Sequence, residues 1–158
     1  MSSLVTPRRI RAGNRKRTFV IVASRFNDEY VQGLIDHVSA ELRALMPDAN
    51  VLLRRVPGAF EIPVVVRAFA EQQRTDAIIA CGVILKGETN HAENLIRSVT
   101  DALQRIAVGH SVPVLNAVLM FDTEAQARER CLGERINRGT EAARAAVEVL
   151  NVLSELRR

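Results

Sequence analysis

Residues 76–91 read DAIIACGVILKGETNH, and the run changes character after Leu85. Residues 76–85 are almost continuously apolar, as expected of a long strand buried on both faces of a parallel sheet. Residues 87–91 form a polar loop. From about Glu93 onward, Leu95, Val99, Leu103 and Ile106 recur at helical spacing, which predicts a helix with one inward face. The loop between strand and helix nearly spells a phosphate-binding P-loop, because four residues separate Gly82 from Gly87 and Thr89 follows. A P-loop needs lysine directly after the second glycine, to reach the β- and γ-phosphates. Glu88 occupies that place, and Lys86 precedes Gly87, so the motif fails as a triphosphate site.

The same strand, loop and helix unit recurs on both sides of this run. Upstream, TFVIVAS (18–24) is a β-branched apolar run that reads as a buried strand. Asn27 is placed to cap the following helix, with Asp28 and Glu29 near its positive end and Val31, Leu34, Ile35, Val38 and Leu42 on one face. MPDAN (46–50) is a turn, VLLRRV (51–56) a second strand, and Pro57-Gly58 another turn. Residues 60–72 predict a helix with Pro63 in its first turn and Ile62, Val65, Val66 and Phe69 sharing a face. Downstream, VPVLNAVLMF (112–121) is the last strand, followed by helical segments over 124–132 and 138–156. Four such repeats predict an α/β domain: a three-layer α-β-α sandwich around a four-stranded parallel sheet, with right-handed crossovers. The organisation is a basic N-terminal arm, residues 1–17, and a single domain, 18–158.

Bulk properties narrow the function. Of 158 residues, 47% are hydrophobic and 25% charged, which suits one domain with a sizeable core. No apolar run approaches the roughly 20 residues of a membrane span. The N-terminus carries no apolar segment or small-residue cleavage site of a secretory signal, so a cytoplasmic protein with no membrane partner is expected. Cys81 and Cys131 form no CxxC pair and read as reduced core thiols. The net charge of +4 belongs to the arm: six of the 22 basic residues lie in 1–17, leaving 16 against 18 acidic ones, a balance of −2. With no aromatics interleaved among those charges, the arm reads as a solvated or interface segment and no nucleic-acid partner is expected.

Ligands of a parallel sheet sit at the carboxyl ends of its strands. The loops there are SRFN (24–27), VPGAFE (56–61), KGETNH (86–91) and MFDTEAQARER (120–130). None is the glycine-rich turn of a dinucleotide site, and no His, Cys or Asp spacing resembles a metal centre. Phe26 reads either as a core aromatic or as a ring that stacks on a planar ligand. Glu61 reads as an exposed helix-start carboxylate or as a ligand contact. Arg130, taken alone, reads as half of a helical pair with Gln126 or Glu134. Among three histidines, His37 lies mid-helix and His110 precedes a strand, whereas His91 ends a glycine-containing loop at a helix start. Backbone N–H groups of Gly87, Glu88 and Thr89 can point at a single phosphate without any P-loop lysine. One phosphomonoester beside a histidine suggests proton-transfer chemistry on a small phosphorylated substrate.

At these residues the chain resembles the lumazine synthase (6,7-dimethyl-8-ribityllumazine synthase) family. SRFN, VPGAFEIP, GVILKGETNH and EAQARERCLGERINRG (124–139) match the family's motifs in order and spacing, over about residues 18–150. The resemblance implies a flavodoxin-like fold and a condensation without cofactor or metal. It joins 5-amino-6-ribitylamino-uracil to 3,4-dihydroxy-2-butanone 4-phosphate with loss of phosphate and two waters. Phe26 would stack on the pyrimidine beside Asn27. Ala59, Phe60 and Glu61 would face the ribityl chain, and the backbone of Val83, Ile84 and Leu85 the pyrimidine edge. Gly87, Glu88, Thr89 and Arg130 would take the phosphate, and His91 would move protons. The resemblance also implies a homopentamer with shared sites, in which Asn116, Arg130 and Arg138 come from the neighbour and the N-terminal arm adds a strand to a neighbouring sheet. Twelve pentamers form an icosahedral shell in many members of the family.

Three departures bear on substrate affinity more than on reaction type. Asn116 replaces the usual ring-contacting Phe, and Met120-Phe121 replaces Thr-Thr, so that Phe121 is a candidate substitute aromatic. Arg138 replaces the usual Lys, keeping charge but changing geometry. Two related alternatives are a riboflavin synthase of archaeal type and a shell protein that binds or stores lumazine or flavin with little turnover.

Overall fold

In the computed structural model, which describes residues 6–10, 16–87 and 90–157, four strands alternate with five α-helices. They are β1 (Thr18–Ser24), α1 (Asp28–Leu45), β2 (Asn50–Val56), α2 (Ile62–Glu71), β3 (Ala77–Leu85), α3 (Ala92–His110), β4 (Val114–Phe121), α4 (Glu124–Cys131) and α5 (Arg138–Leu156). A single 3₁₀ turn, Ala59–Glu61, leads into α2. The strands form one parallel sheet in the order β2-β1-β3-β4. This is the expected three-layer sandwich of flavodoxin-like type.

Alternation along the strands divides the core in two. Phe19, Ile21, Ala23, Ile79, Cys81 and Val83 pack against α1, α4 and α5. Val20, Val22, Ile78, Ala80 and Ile84 pack against α2 and α3. Every residue of β3 is buried, as its unbroken apolar run predicts. β2 starts one residue earlier than expected and lies at the open edge of the sheet, leaving Val51, Leu52 and Leu53 38–40% exposed. Both cysteines are buried and free, and burial pushes each thiol up to about 12. Among the described residues, no helix is long and apolar enough to cross a membrane.

Helix α1 is approached closely by the last two helices. A Cβ added to Gly139, in the first turn of α5, would lie 2.6 Å from the carbonyl oxygen of Leu34. One added to Gly33 would lie 2.5 Å from the carbonyl oxygen of Cys131 at the end of α4. Glycine is required at both points because backbone meets backbone there.

Residues 6–10 of the arm rest on their own chain. Ile10 packs against the α1/α5 side of the core, and Arg144 donates to the Pro7 carbonyl at 3.4 Å. Between them Glu41, with a side chain 4% exposed, is paired with Arg9 at 2.5 Å and Arg144 at 2.8 Å. Burial pushes the Glu41 carboxyl up, but the two guanidiniums more than offset it, so the group titrates below the ordinary carboxylate range. A folded-state value below the unfolded one contributes stability above the unfolded value of about 4.3, and that contribution is lost as pH falls through the folded value. Glu41→Gln is therefore expected to melt below the wild type at pH 7. The gap should close as both proteins are melted at successively lower pH; a gap independent of pH would contradict the assignment.

Candidate active site

Three loops at the carboxyl ends of the strands enclose a cleft of about 380 Å³ lined by Ser24, Phe26, Asn27, Ala59, Val83, Ile84 and Leu95. Phe26 is 71% exposed and is therefore no core aromatic. Its ring lies over Gly58, where an added Cβ would come within 3.4 Å of it. The loop is tied to the end of β2 by the Arg25 N–H, which reaches the carbonyls of Val56 at 2.9 Å and Pro57 at 3.2 Å.

Asn27 stands at the N-cap of α1 as expected, with Asp28 and Glu29 in the first turn, but its side chain does not cap. The residue adopts the left-handed conformation at φ 57°, which Asn tolerates better than most residues. From there its amide donates to the Val83 carbonyl at 2.8 Å, pinning the loop to β3 across the cleft. Glu61 keeps the helix-start role: its Oε1 accepts from the Gly58 N–H at 3.1 Å, closing the turn that presents Ala59. Phe60 points outward and is 67% exposed. Leu85 ends β3 buried.

Gly87 has φ +96°, a left-handed conformation in which a side chain would be strained, so the loop after β3 depends on glycine there. Glu88 and Thr89 lie outside the described residues. His91 is exposed at the N-cap of α3, where its carbonyl accepts from the Leu95 N–H at 2.9 Å.

A second cleft, about 540 Å³, runs along the open β4 edge and is lined by Pro7, Asn116, Leu119, Phe121, Arg130, Arg138 and Glu141, among others. Arg130 makes no ion pair with Glu134 among the described residues. Gln126 accepts instead from the Asp122 N–H at 3.0 Å. The Arg130 guanidinium sits 6.0 Å from the centroid of Phe121, which is buried. Phe121 thus forms a wall beneath Arg130 rather than an exposed substitute for the missing ring. Asn116 is turned back on its own surroundings, accepting from the Val118 N–H at 2.9 Å and donating to the Thr100 hydroxyl at 3.3 Å. Arg138 is paired with Glu141 at 2.7 Å.

The two arginines are held by a residue that the sequence reading did not single out. Asn137 is buried, and its amide donates to the carbonyls of Cys131 at 3.0 Å and Gly133 at 2.9 Å. Its oxygen accepts from the N–H groups of Gly139 at 2.8 Å and Thr140 at 3.2 Å. One side chain thus joins the end of α4, which carries Arg130, to the start of α5, which carries Arg138. Its signal was local: Asn directly before a helical pattern is an N-cap. Among the described residues, no group of three His, Cys, Asp or Glu side chains is placed to hold a metal ion.

The profile of the family described as 6,7-dimethyl-8-ribityllumazine synthase matches residues 16–154. The chain is similar to the protein of that name from Polaromonas sp. (strain JS666), 39% identical over 143 residues and 90% of each chain. It is also similar to the one from Halorhodospira halophila, 38% identical over 139 residues, 87% of this chain and 89% of the relative. A third of that name, from Nitrosomonas europaea, is 38% identical over 137 residues, 86% of this chain and 81% of the relative.

Proposed function

The chain belongs to the 6,7-dimethyl-8-ribityllumazine synthase family, and from that premise we propose how its two clefts complete one active site. The activity is that of a transferase in riboflavin biosynthesis. The amine of 5-amino-6-ribitylamino-uracil attacks the ketone of 3,4-dihydroxy-2-butanone 4-phosphate, a Schiff base forms with loss of water, phosphate leaves, and ring closure releases the second water.

The first cleft takes the pyrimidine. Phe26 supplies the stacking face, Asn27 and the backbone of Val83, Ile84 and Leu85 line its edge, and Ala59, Phe60 and Glu61 meet the ribityl hydroxyls. The phosphate is assigned to Gly87, Glu88 and Thr89, as the resemblance implies. The second cleft belongs to a neighbouring subunit's site, bringing Arg130 to the same phosphate, with Arg138 and Asn116 beside it. The observation that carries this reading is the separation of the two residue groups into different clefts of one chain. A homopentamer in the cytoplasm, with the first cleft of one subunit facing the second cleft of the next, unites them. Exposed Phe26, Phe60 and Val64 beside the first cleft support that neighbour, since such apolar surface marks an interface.

His91 sits at the mouth of the phosphate loop and exchanges protons with the carbinolamine and the leaving groups. The test is a rate assay with both substrates, followed by absorbance and fluorescence of the lumazine and set against the uncatalysed condensation. Clear acceleration is expected. His91→Ala should lower kcat by about 10²-fold, the lower end of general acid–base effects, with residual turnover left by substrate alignment. An undiminished rate would remove His91 from the mechanism.

A further inference from the structure

Arg55, the penultimate residue of β2, spends its guanidinium on the loop that carries Phe26. Its Nη2 donates to the Ser24 carbonyl at 2.9 Å and to the Asp28 carboxylate at 2.5 Å, and its Nη1 to the Gln32 side chain at 3.3 Å. Ser24 ends β1 and Asp28 opens α1, and the residues between them are Arg25, Phe26 and Asn27. A single planar group therefore ties both ends of this loop together. The arrangement has a cost: Arg55 Nε is buried without a hydrogen-bond partner among the described residues. The Arg55 side chain is 16% exposed and that of Asp28 69%, so the guanidinium, not the carboxylate, is the embedded member.

We propose that Arg55 is the positioning residue that sets the angle and rigidity of Phe26, and thereby the fit of the pyrimidine in the first cleft. The proposal rests on the reading above in which Phe26 stacks on that ring. Arg55 never touches the substrate; it acts by holding Ser24 and Asp28 at a fixed separation while the short loop between them carries a left-handed residue. Lysine cannot replace it, because one ammonium lacks the fork that reaches a carbonyl, a carboxylate and an amide at once.

The experiment uses the enzyme with Arg55→Met and Arg55→Lys, and with Asp28→Asn as an exposed variant that removes the charge from one of the bonds without disturbing burial. In Arg55→Met the KM for the pyrimidine should rise roughly 10-fold, while the KM for the butanone phosphate and kcat stay within about two-fold. Arg55→Lys should behave likewise, and Asp28→Asn should move the same KM by less. A ligand-free readout comes from Phe26→Trp, since the chain contains no Trp. The indole's fluorescence anisotropy should fall when Arg55→Met is added. Unchanged pyrimidine KM and anisotropy, or equal rises in both KM values with a lower Tm, would overturn the proposal. If the wild type shows no acceleration but the anisotropy still falls, the synthase reading fails and the positioning of the loop stands.

Discussion

Arg130→Ala is expected to lower kcat/KM by roughly 10³-fold, with most of the loss in the KM for the butanone phosphate, if Arg130 binds the phosphate as proposed. A guanidinium facing a phosphate makes two charge-assisted hydrogen bonds, each worth about 1.5–3 kcal/mol, and about 4 kcal/mol corresponds to that factor. Stability should hardly change. In the free chain Arg130 leans on the Phe121 ring at 6.0 Å, a contact worth about 0.5–1 kcal/mol at a half-exposed site. Arg130→Lys should recover part of the activity as a point charge, without the bidentate fit. The same variant tests the shared site. Arg130→Ala and Phe26→Ala subunits, each nearly inactive alone, are mixed, dissociated and reassembled. With random mixing, about one quarter of the sites then combine an intact Phe26 with an intact neighbouring Arg130. Recovery of activity supports a site built from two subunits. No recovery in mixed assemblies argues that each chain completes its own.

Gly139→Val is expected to destabilise the fold by about 3 kcal/mol or more, the upper range for overpacking a well-packed contact. For a chain of this size that lowers Tm by roughly 10 °C. The effect is large because the obstacle is the Leu34 carbonyl, 2.6 Å from where the Cβ would be, rather than the end of a flexible side chain. The Asn137 oxygen lies 3.0 Å from the same point, so relief by moving α5 would break the bonds with which Asn137 caps that helix. Gly139→Ala should show a smaller loss in the same direction. A Tm within about 2 °C of the wild type in thermal denaturation of Gly139→Val would mean that α1 and α5 separate more easily than their packing implies.

The layers of the fold were legible because each element carries its own burial pattern. β3 is apolar throughout and buried throughout, and α5 begins at Arg138, where the helical pattern begins. What escaped the sequence were contacts between distant residues. The VLL of β2 looks like an interior strand, since nothing within it tells that among the described residues its outer side has no strand beside it. Asn27 has the composition of a cap, yet its amide answers to Val83, 56 positions away. Arg130 has helical neighbours suited to pairing, yet it lies over Phe121, contributed by the strand before its helix. The candidate site was readable as a set of motifs in order. Their division between two clefts was legible only through the resemblance, which gives Asn116, Arg130 and Arg138 to a neighbouring chain; composition and spacing carry no such signal.

The open edge of the sheet has a consequence for the life of the chain before assembly. Among the described residues no strand pairs with the outer side of β2, where Val51, Leu52 and Leu53 are partly exposed, a template on which another extended segment can pair. For newly synthesised chains, completing the fold competes with pairing between such edges, and the second process rises with concentration while the first does not. Soluble yield should therefore depend on how fast chains are released relative to how fast each one folds. Slower synthesis at lower temperature favours the ordered product.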